Sequence, residues 1–235
     1  KLASAKTALA SAIADRAKVA KVDAKSEEPK GKSAESKVLL KDDFAKPNPD
    51  AWERGQGEWK HDKGKLLQQK PDGDRSHIRT KTAPPTDFDT RFNFVITGGT
   101  PYQSVGVAFD TTEGNEILVY VSGGGSKLQV AYKKGADYVY PAARAINVPI
   151  PTNKPLELHV RVRGSLLNIS LNGEHKLAYT IPIPRKAGKL DLITYTATAE
   201  FTGFELRELA ADFALVPSGK GGAKLVLTPE VADAN

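Results

Sequence analysis

The sequence predicts an all-β fold over residues 37–210: a two-sheet antiparallel jelly-roll sandwich, preceded by an N-terminal helix and a linker. Three observations carry this expectation. From Val38 to Leu209, short apolar–polar alternations follow one another, bounded by Gly, Pro, Asn or Asp. No helical pattern of useful length interrupts them. Several alternations have one apolar and one polar side, the mark of two sheets packed face to face. So many strands in one open sheet would leave bad edges, and a jelly roll is the closure that manages them.

Residues 1–22, KLASAKTALASAIADRAKVAKV, are Ala- and Lys-rich, with Leu2, Leu9 and Ile13 at helical spacing. A helix toward a neighbouring module is expected there. Residues 23–36 have linker composition, charged and small with Pro29 and Gly31. Strands are then expected near 37–44, 57–61, 65–70, 76–82, 88–97, 104–110 and 116–121. Further strands are expected near 127–133, 137–140, 156–163, 166–171, 175–181, 189–196 and 200–209. Asp62-Lys63-Gly64 and Asn172-Gly173 mark two hairpins, the second being the pair that best supplies a type I′ turn. Phe88, Phe92, Phe94 and Ile96 share one side of their strand, and Asp89, Arg91 and Asn93 share the other. In the last passage Leu190, Leu192 and Thr194 point one way, and Gly203 between Phe201 and Phe204 suggests a bulge. That passage, 188–209, is expected as the closing pair of strands beside 37–44. Residues 211–235 are expected as a C-terminal linker or tail.

Composition narrows the function. The chain of 235 residues has no Cys, which removes disulfides and thiolate metal sites. It has no Met and begins at Lys1, so a processed product or a piece of a longer protein is expected. No apolar run approaches the roughly 20 residues of a membrane span. Net charge is +6, of which residues 1–37 carry +4, so the globular part is nearly neutral. That balance argues against a nucleic-acid binder.

The order of motifs adds a resemblance. A strand ending DDF (42–44) is followed by GEWKHDKGKLLQQ, then TDFDTRFNFVITGG and QSVGVAFD, then LHVRVRGSLLNISLNGEHKLAY, and last GKLDLITYTATAEFTGFELREL. This series, over about residues 38–209, resembles the laminin-G-like, concanavalin A-like jelly rolls. It is most similar to the domain embedded in large secreted planctomycete proteins that carry cytochrome-c-like modules. It is more distantly similar to the 3-keto-disaccharide hydrolase group. The resemblance implies a sandwich that binds, and sometimes cleaves, carbohydrate in a secreted or periplasmic protein.

Catalytic chemistry finds little support. Jelly-roll glycosidases place carboxylates at alternate positions of one strand. Asp87 and Asp89 alternate, but Arg91 follows in phase and is expected to hold both ionised. Glu205 is followed in phase by Arg207. Asp110 and Glu116 flank one turn and are the pair that could converge on a ligand; turn-capping is the simpler expectation. A structural Ca²⁺ near Asp42 and Asp43 is a further expectation, though no loop is dense in oxygen ligands. The four His are scattered without Zn²⁺ spacing, and the glycines at 123–125 suggest a flexible turn rather than a phosphate cradle.

Carbohydrate binding needs aromatic faces and planar polar groups. Tyr102 and Gln103 sit on a Gly/Pro-rich loop, and Tyr138 and Tyr140 alternate close to Arg144. Arg91, Asn93, Asp110, Glu116, Tyr120 and Gln129 complete the expected ligand-binding set, over a shallow floor at Gly106 and Ala108. Trp52 and Trp59 are expected to cover one end of the core. The row Glu157, His159, Arg161 and Arg163 is expected as a solvated face, or as a cationic stripe for anionic glycans. The expectation is a non-catalytic carbohydrate-binding module, its partners a polysaccharide and neighbouring modules. The alternatives are a structural or protein-contact domain, and a glycoside-processing enzyme of the 3-keto type.

Overall fold

In the computed structural model, residues 36–71, 73–142 and 145–219 are described. The helix expected over 1–22 and, except for Ser36, the linker expected over 23–36 lie outside them. The described chain is sixteen strands: β1 (Val38–Asp42), β2 (Trp52–Arg54), β3 (Trp59–Asp62), β4 (Lys65–Gln68), β5 (Ser76–Thr80), β6 (Phe88–Gly98), β7 (Ser104–Thr112), β8 (Asn115–Ser122), β9 (Lys127–Lys134), β10 (Asp137–Val139), β11 (Ala145–Asn147), β12 (Pro155–Arg163), β13 (Leu166–Leu171), β14 (Glu174–Thr180), β15 (Lys189–Tyr195) and β16 (Thr198–Glu208). β2 and β11, three residues each, are not among the strands expected from the sequence.

The strands form two antiparallel sheets of eight. The first runs β14-β13-β12-β6-β16-β4-β3, with β1 also on β16. The second runs β10-β9-β8-β7-β15-β5-β2, with β11 also on β9. Between them lies one core in which Phe44, Phe88, Phe92, Phe94, Phe109 and Phe201 are fully buried. The alternation expected in β6 holds, with Phe88, Phe92, Phe94 and Ile96 in the core. Trp52 and Trp59 join that core, as expected. Asn172 and Gly173 both take positive φ, 53° and 75°, as a type I′ hairpin requires.

The closing passage divides differently from expectation. β16 does pair with β1, and its register shifts between Phe201 and Gly203. β15, however, lies in the other sheet, between β7 and β5. The two arms therefore cross the sandwich instead of forming a hairpin. Alternation cannot reveal this, because each arm buries its apolar side in the same core from opposite sheets.

The segment after 210 is bound to the outer side of the first sheet as far as Ser218. Asn168 Nδ2 donates to Val216 O (2.9 Å) and Val216 N donates to Asn168 Oδ1 (2.7 Å). Phe213 lies against the Arg161 guanidinium, 4.9 Å from ring centroid to Cζ. This segment corrects the expectation for the charged row. His159 and Arg161 are buried, not solvated, and both meet Asp89, at 2.6 and 3.1 Å.

Candidate functional site

The outer face of the second sheet carries its own apolar patch, separate from the core. Ala108 of β7, Leu118 of β8, Ala131 of β9 and Ile193 of β15 are buried there, with Tyr120 and Tyr138 packed against them. Register builds this floor. One cross-strand row reads Glu53, Arg79, Asp191, Ala108, Leu118 and Ala131. The next reads His77, Ile193, Gly106, Tyr120 and Gln129. Period-two geometry puts every member of these rows on one side. Gly106 allows close approach of the strands: a Cβ there would fall 2.2 Å from Val119 O.

Tyrosines surround the floor. Tyr102 and Tyr195 stack with centroids 5.6 Å apart and planes 22° apart. Tyr138 and Tyr140 are tilted at 41°, with centroids 6.2 Å apart. Tyr140, Tyr102 and Tyr195 are 54%, 51% and 37% exposed. The Tyr120 hydroxyl donates to Gln129 Oε1 (3.1 Å). Burial, with Tyr140 beside it, pushes the Tyr120 hydroxyl up to about 12. Five of the seven tyrosines in the chain thus share one face.

Two arginine–carboxylate pairs cross the same face. Arg75, just before β5, reaches over β15 and β7 to Glu116 on β8, its Nη1 and Nη2 each donating at 2.7 Å. The Tyr138 hydroxyl donates to Glu116 Oε2 as well, and Arg75 Nη1 donates to the Tyr138 oxygen at 3.2 Å. Burial first, and then this donation to Glu116, raise the Tyr138 hydroxyl above its ordinary value. Arg79 Nε and Nη2 donate to Asp191 at 2.7 and 2.8 Å. Glu116 is 3% exposed and Asp191 0%. His77 lies between these pairs, and its imidazole is held below its ordinary value. Burial is the largest cause; Asp191 opposes it, and Arg79 and Arg75 reinforce it.

The 99–103 loop sets the Tyr102 platform. Tyr102 N donates to Thr196 Oγ1 (3.0 Å), and Gln103 Nε2 donates to Gly99 O (2.9 Å). Its carbonyls are taken by the 123–125 turn: Gly124 N donates to Tyr102 O (3.0 Å), Gly123 N to Gln103 O (3.1 Å). A Cβ at Gly124 would stand 1.8 Å from Pro101 O. The glycine triplet is therefore a clasp for the tyrosine loop, where the sequence suggested a flexible turn.

Of the expected ligand set, Tyr102, Gln103, Glu116, Tyr120, Gln129, Tyr138 and Tyr140 meet at this face or its rim. The other four do not join them or lie outside the described residues. Arg91 and Asn93 point from β6 to the outside of the opposite sheet, where with Lys41, Glu157, Gly203 and Glu205 they line a groove of about 950 Å³. Arg91 Nη2 donates there to Glu205 (3.1 Å), not to Asp87 or Asp89 as phase alone suggested. Arg144 lies outside the described residues. Asp110 does not converge with Glu116 on a ligand. Its carboxylate accepts from Arg185, whose Nη1 also donates to Gly164 O (2.7 Å) in the β12–β13 turn of the other sheet. Asp110 is thus a tie between the sheets at the end of the sandwich. Asp42 also has a structural task, accepting from Phe44 N (2.7 Å), Asn48 Nδ2 (3.1 Å) and Trp52 Nε1 (2.9 Å). Among the described residues no group of three or more His, Asp or Glu is placed to hold a metal ion.

Arg75, His77, Arg79, Asp191 and Tyr195 were missed from sequence. The signal for four of them was present. His77 and Arg79 alternate with the inward Ser76, Ile78 and Thr80, and Asp191 and Tyr195 alternate with Leu190, Leu192 and Thr194. What the alternation lacked was the sheet to which each strand belongs.

The sandwich is a concanavalin A-like jelly roll, an architecture shared by carbohydrate-binding modules and glycoside hydrolases of solved structure. The carbohydrate-binding module CBM66 from Bacillus subtilis superposes with a TM-score of 0.60 at 17% identity, covering 67% of this chain and 96% of that one. A Bacillus licheniformis β-glucanase gives 0.58 at 12% identity, covering 75% and 100%. A Bacillus subtilis protein of unknown function with a galectin-like fold gives 0.61 at 12% identity, covering 76% and 99%. At these identities the likeness is one of fold. No protein-family model and no curated protein matches the chain.

Proposed function

We propose that the outer face of the β7-β8-β15 sheet is a carbohydrate-binding surface and that the chain is a non-catalytic binding module. The observation that carries this reading is the gathering of Tyr102, Tyr120, Tyr138, Tyr140 and Tyr195 around a floor of buried apolar residues. Sugar rings stack their C–H faces on exposed aromatic rings, and their hydroxyls pair with fixed planar groups. Gln129, Glu116 and the two arginines supply such groups beside the rings. The likeness in fold to CBM66 is consistent with this reading.

A non-catalytic role is favoured over an enzyme of the 3-keto type by the state of the carboxylates. Glycoside hydrolysis asks one carboxyl group to give a proton and another to act as base or nucleophile. Here Glu116 and Asp191 each have both oxygens engaged by an arginine fork. A purely structural role would bury the tyrosines, whereas Tyr102 and Tyr140 are exposed. Membership in a larger secreted or periplasmic protein with neighbouring modules, of the planctomycete kind, rests on the resemblance in motif order.

Affinity electrophoresis of the whole chain in gels containing soluble polysaccharides tests the reading. Retardation by at least one polysaccharide is expected, weakened about tenfold in Tyr140→Ala and Tyr102→Ala. Migration unchanged by every polysaccharide would refute the proposal.

A further inference from the structure

The two arginines on the tyrosine face are each matched to a buried carboxylate. Arg75 is spent on Glu116 and Arg79 on Asp191, each through two short hydrogen bonds. Glu53 lies opposite Arg79 in the register at the far edge of the floor. Lys133 opposes Tyr138 at the other edge, with its Nζ 5.9 Å from that ring. Over the floor itself, Arg75 and Arg79 are thus balanced by Glu116 and Asp191, while Lys127 and Lys189 share the outward phase only at the ends of β9 and β15. His77 adds no charge near neutral pH, because burial holds its imidazole below the ordinary value of 6.5.

This balance bears on the ligand. A sulfate or carboxylate laid on the floor would meet arginines whose forks already hold buried carboxylates. It would have to displace an intramolecular partner that is fixed in place, and it would lie beside that displaced anion. Like charges so placed oppose binding by several kcal/mol. A hydroxyl has no such conflict: it can accept from an arginine N–H at the edge of the pair, or donate to Gln129. The stacking faces do not depend on charge.

Resting on the carbohydrate-binding reading, we propose that this face selects uncharged glycan chains and rejects uronate-rich and sulfated ones. The cationic stripe suggested by the sequence does not offset this, because His159 and Arg161 are buried on the opposite sheet against Asp89.

Matched pairs of polysaccharides test the selection, each differing in charge on the same backbone. Suitable pairs are hydroxyethylcellulose and carboxymethylcellulose, methyl-esterified and de-esterified polygalacturonate, and dextran and dextran sulfate. Mixed-linkage β-glucan and xylan serve as further neutral chains. Affinity electrophoresis of the whole chain is run for the wild type and for Tyr140→Ala. The expected result is retardation by a neutral chain, lost in Tyr140→Ala, with the charged partner bound at least about tenfold more weakly. Retardation by a charged chain that Tyr140→Ala leaves unchanged, beside intact neutral binding, also upholds the selection, since that contact lies elsewhere. Equal or stronger binding of the charged partner that Tyr140→Ala abolishes overturns the selection while leaving carbohydrate binding standing. Absence of binding to every chain refutes the carbohydrate reading itself.

Discussion

Arg75→Met tests whether the bridge across the tyrosine face is a buried pair or a surface one. The variant keeps an aliphatic side chain but leaves Glu116 with only the Tyr138 hydroxyl. The Glu116 side chain is 4% exposed, so the stranded carboxylate has little water. Breaking a buried ion pair by removing one partner costs about 3–5 kcal/mol. The Arg75 side chain is 28% exposed, so its loss admits water on one side. That places the cost near the lower end, about 3 kcal/mol. With a urea slope of roughly 2 kcal/mol/M, the midpoint should fall by roughly 1.5 M. The double variant Arg75→Met/Glu116→Gln removes the buried charge and keeps an acceptor for Tyr138, so most of the loss should return. Equilibrium urea unfolding of wild type, both single variants and the double variant measures this. A loss below about 1 kcal/mol in Arg75→Met, or a double variant as unstable as the single, would show that solvent screens the pair and that the reasoning is wrong.

Three further outcomes are expected. The depressed imidazole of His77 ties stability to pH: the unfolded chain takes up the proton first, so the contribution is complete above about pH 6.5 and is lost as pH falls from there toward the folded value. His77→Gln should therefore show a shallower decline in urea midpoint between pH 8 and pH 5 than the wild type does. Gly124→Ala places a methyl group against Pro101 O and should cost about 1–3 kcal/mol, with weaker glycan binding because the Tyr102 loop must shift; unchanged melting and binding would remove the clasp. Asn168→Ala strips both partners from Val216 and should cost about 1–2 kcal/mol. Hydrogen exchange should then quicken in 210–218 while glycan binding, on the other sheet, stays as in the wild type.

Much of the fold was legible because alternation records burial directly. Phe88, Phe92, Phe94 and Ile96 declare an inward side, and Asn172-Gly173 declares a turn, from local geometry alone. The site was legible only in part. Tyr138 and Tyr140 were visible as an alternating pair, and Gly106 and Ala108 as a floor without bulk. Arg91 and Asn93 were placed with them because they also face outward. Outward, though, has two meanings in a sandwich, and β6 faces away from the tyrosines. Arg75 was invisible because two strands, β15 and β7, separate it from its partner Glu116 and its own position lies just outside an alternation.

The sequence by itself determined which residues are inward, where most strands turn, and that the chain closes as two sheets. These follow from period-two burial and from backbone preferences, which act within a few residues. Tertiary structure alone decided which strands are neighbours, and so which polar side chains meet. It put β15 between β7 and β5, which brought Asp191 to Arg79 and Tyr195 to Tyr102. It also laid residues 210–218 over Arg161, turning an outward row into a buried one. Pairing between distant strands depends on how the whole core packs, and no local pattern carries that information.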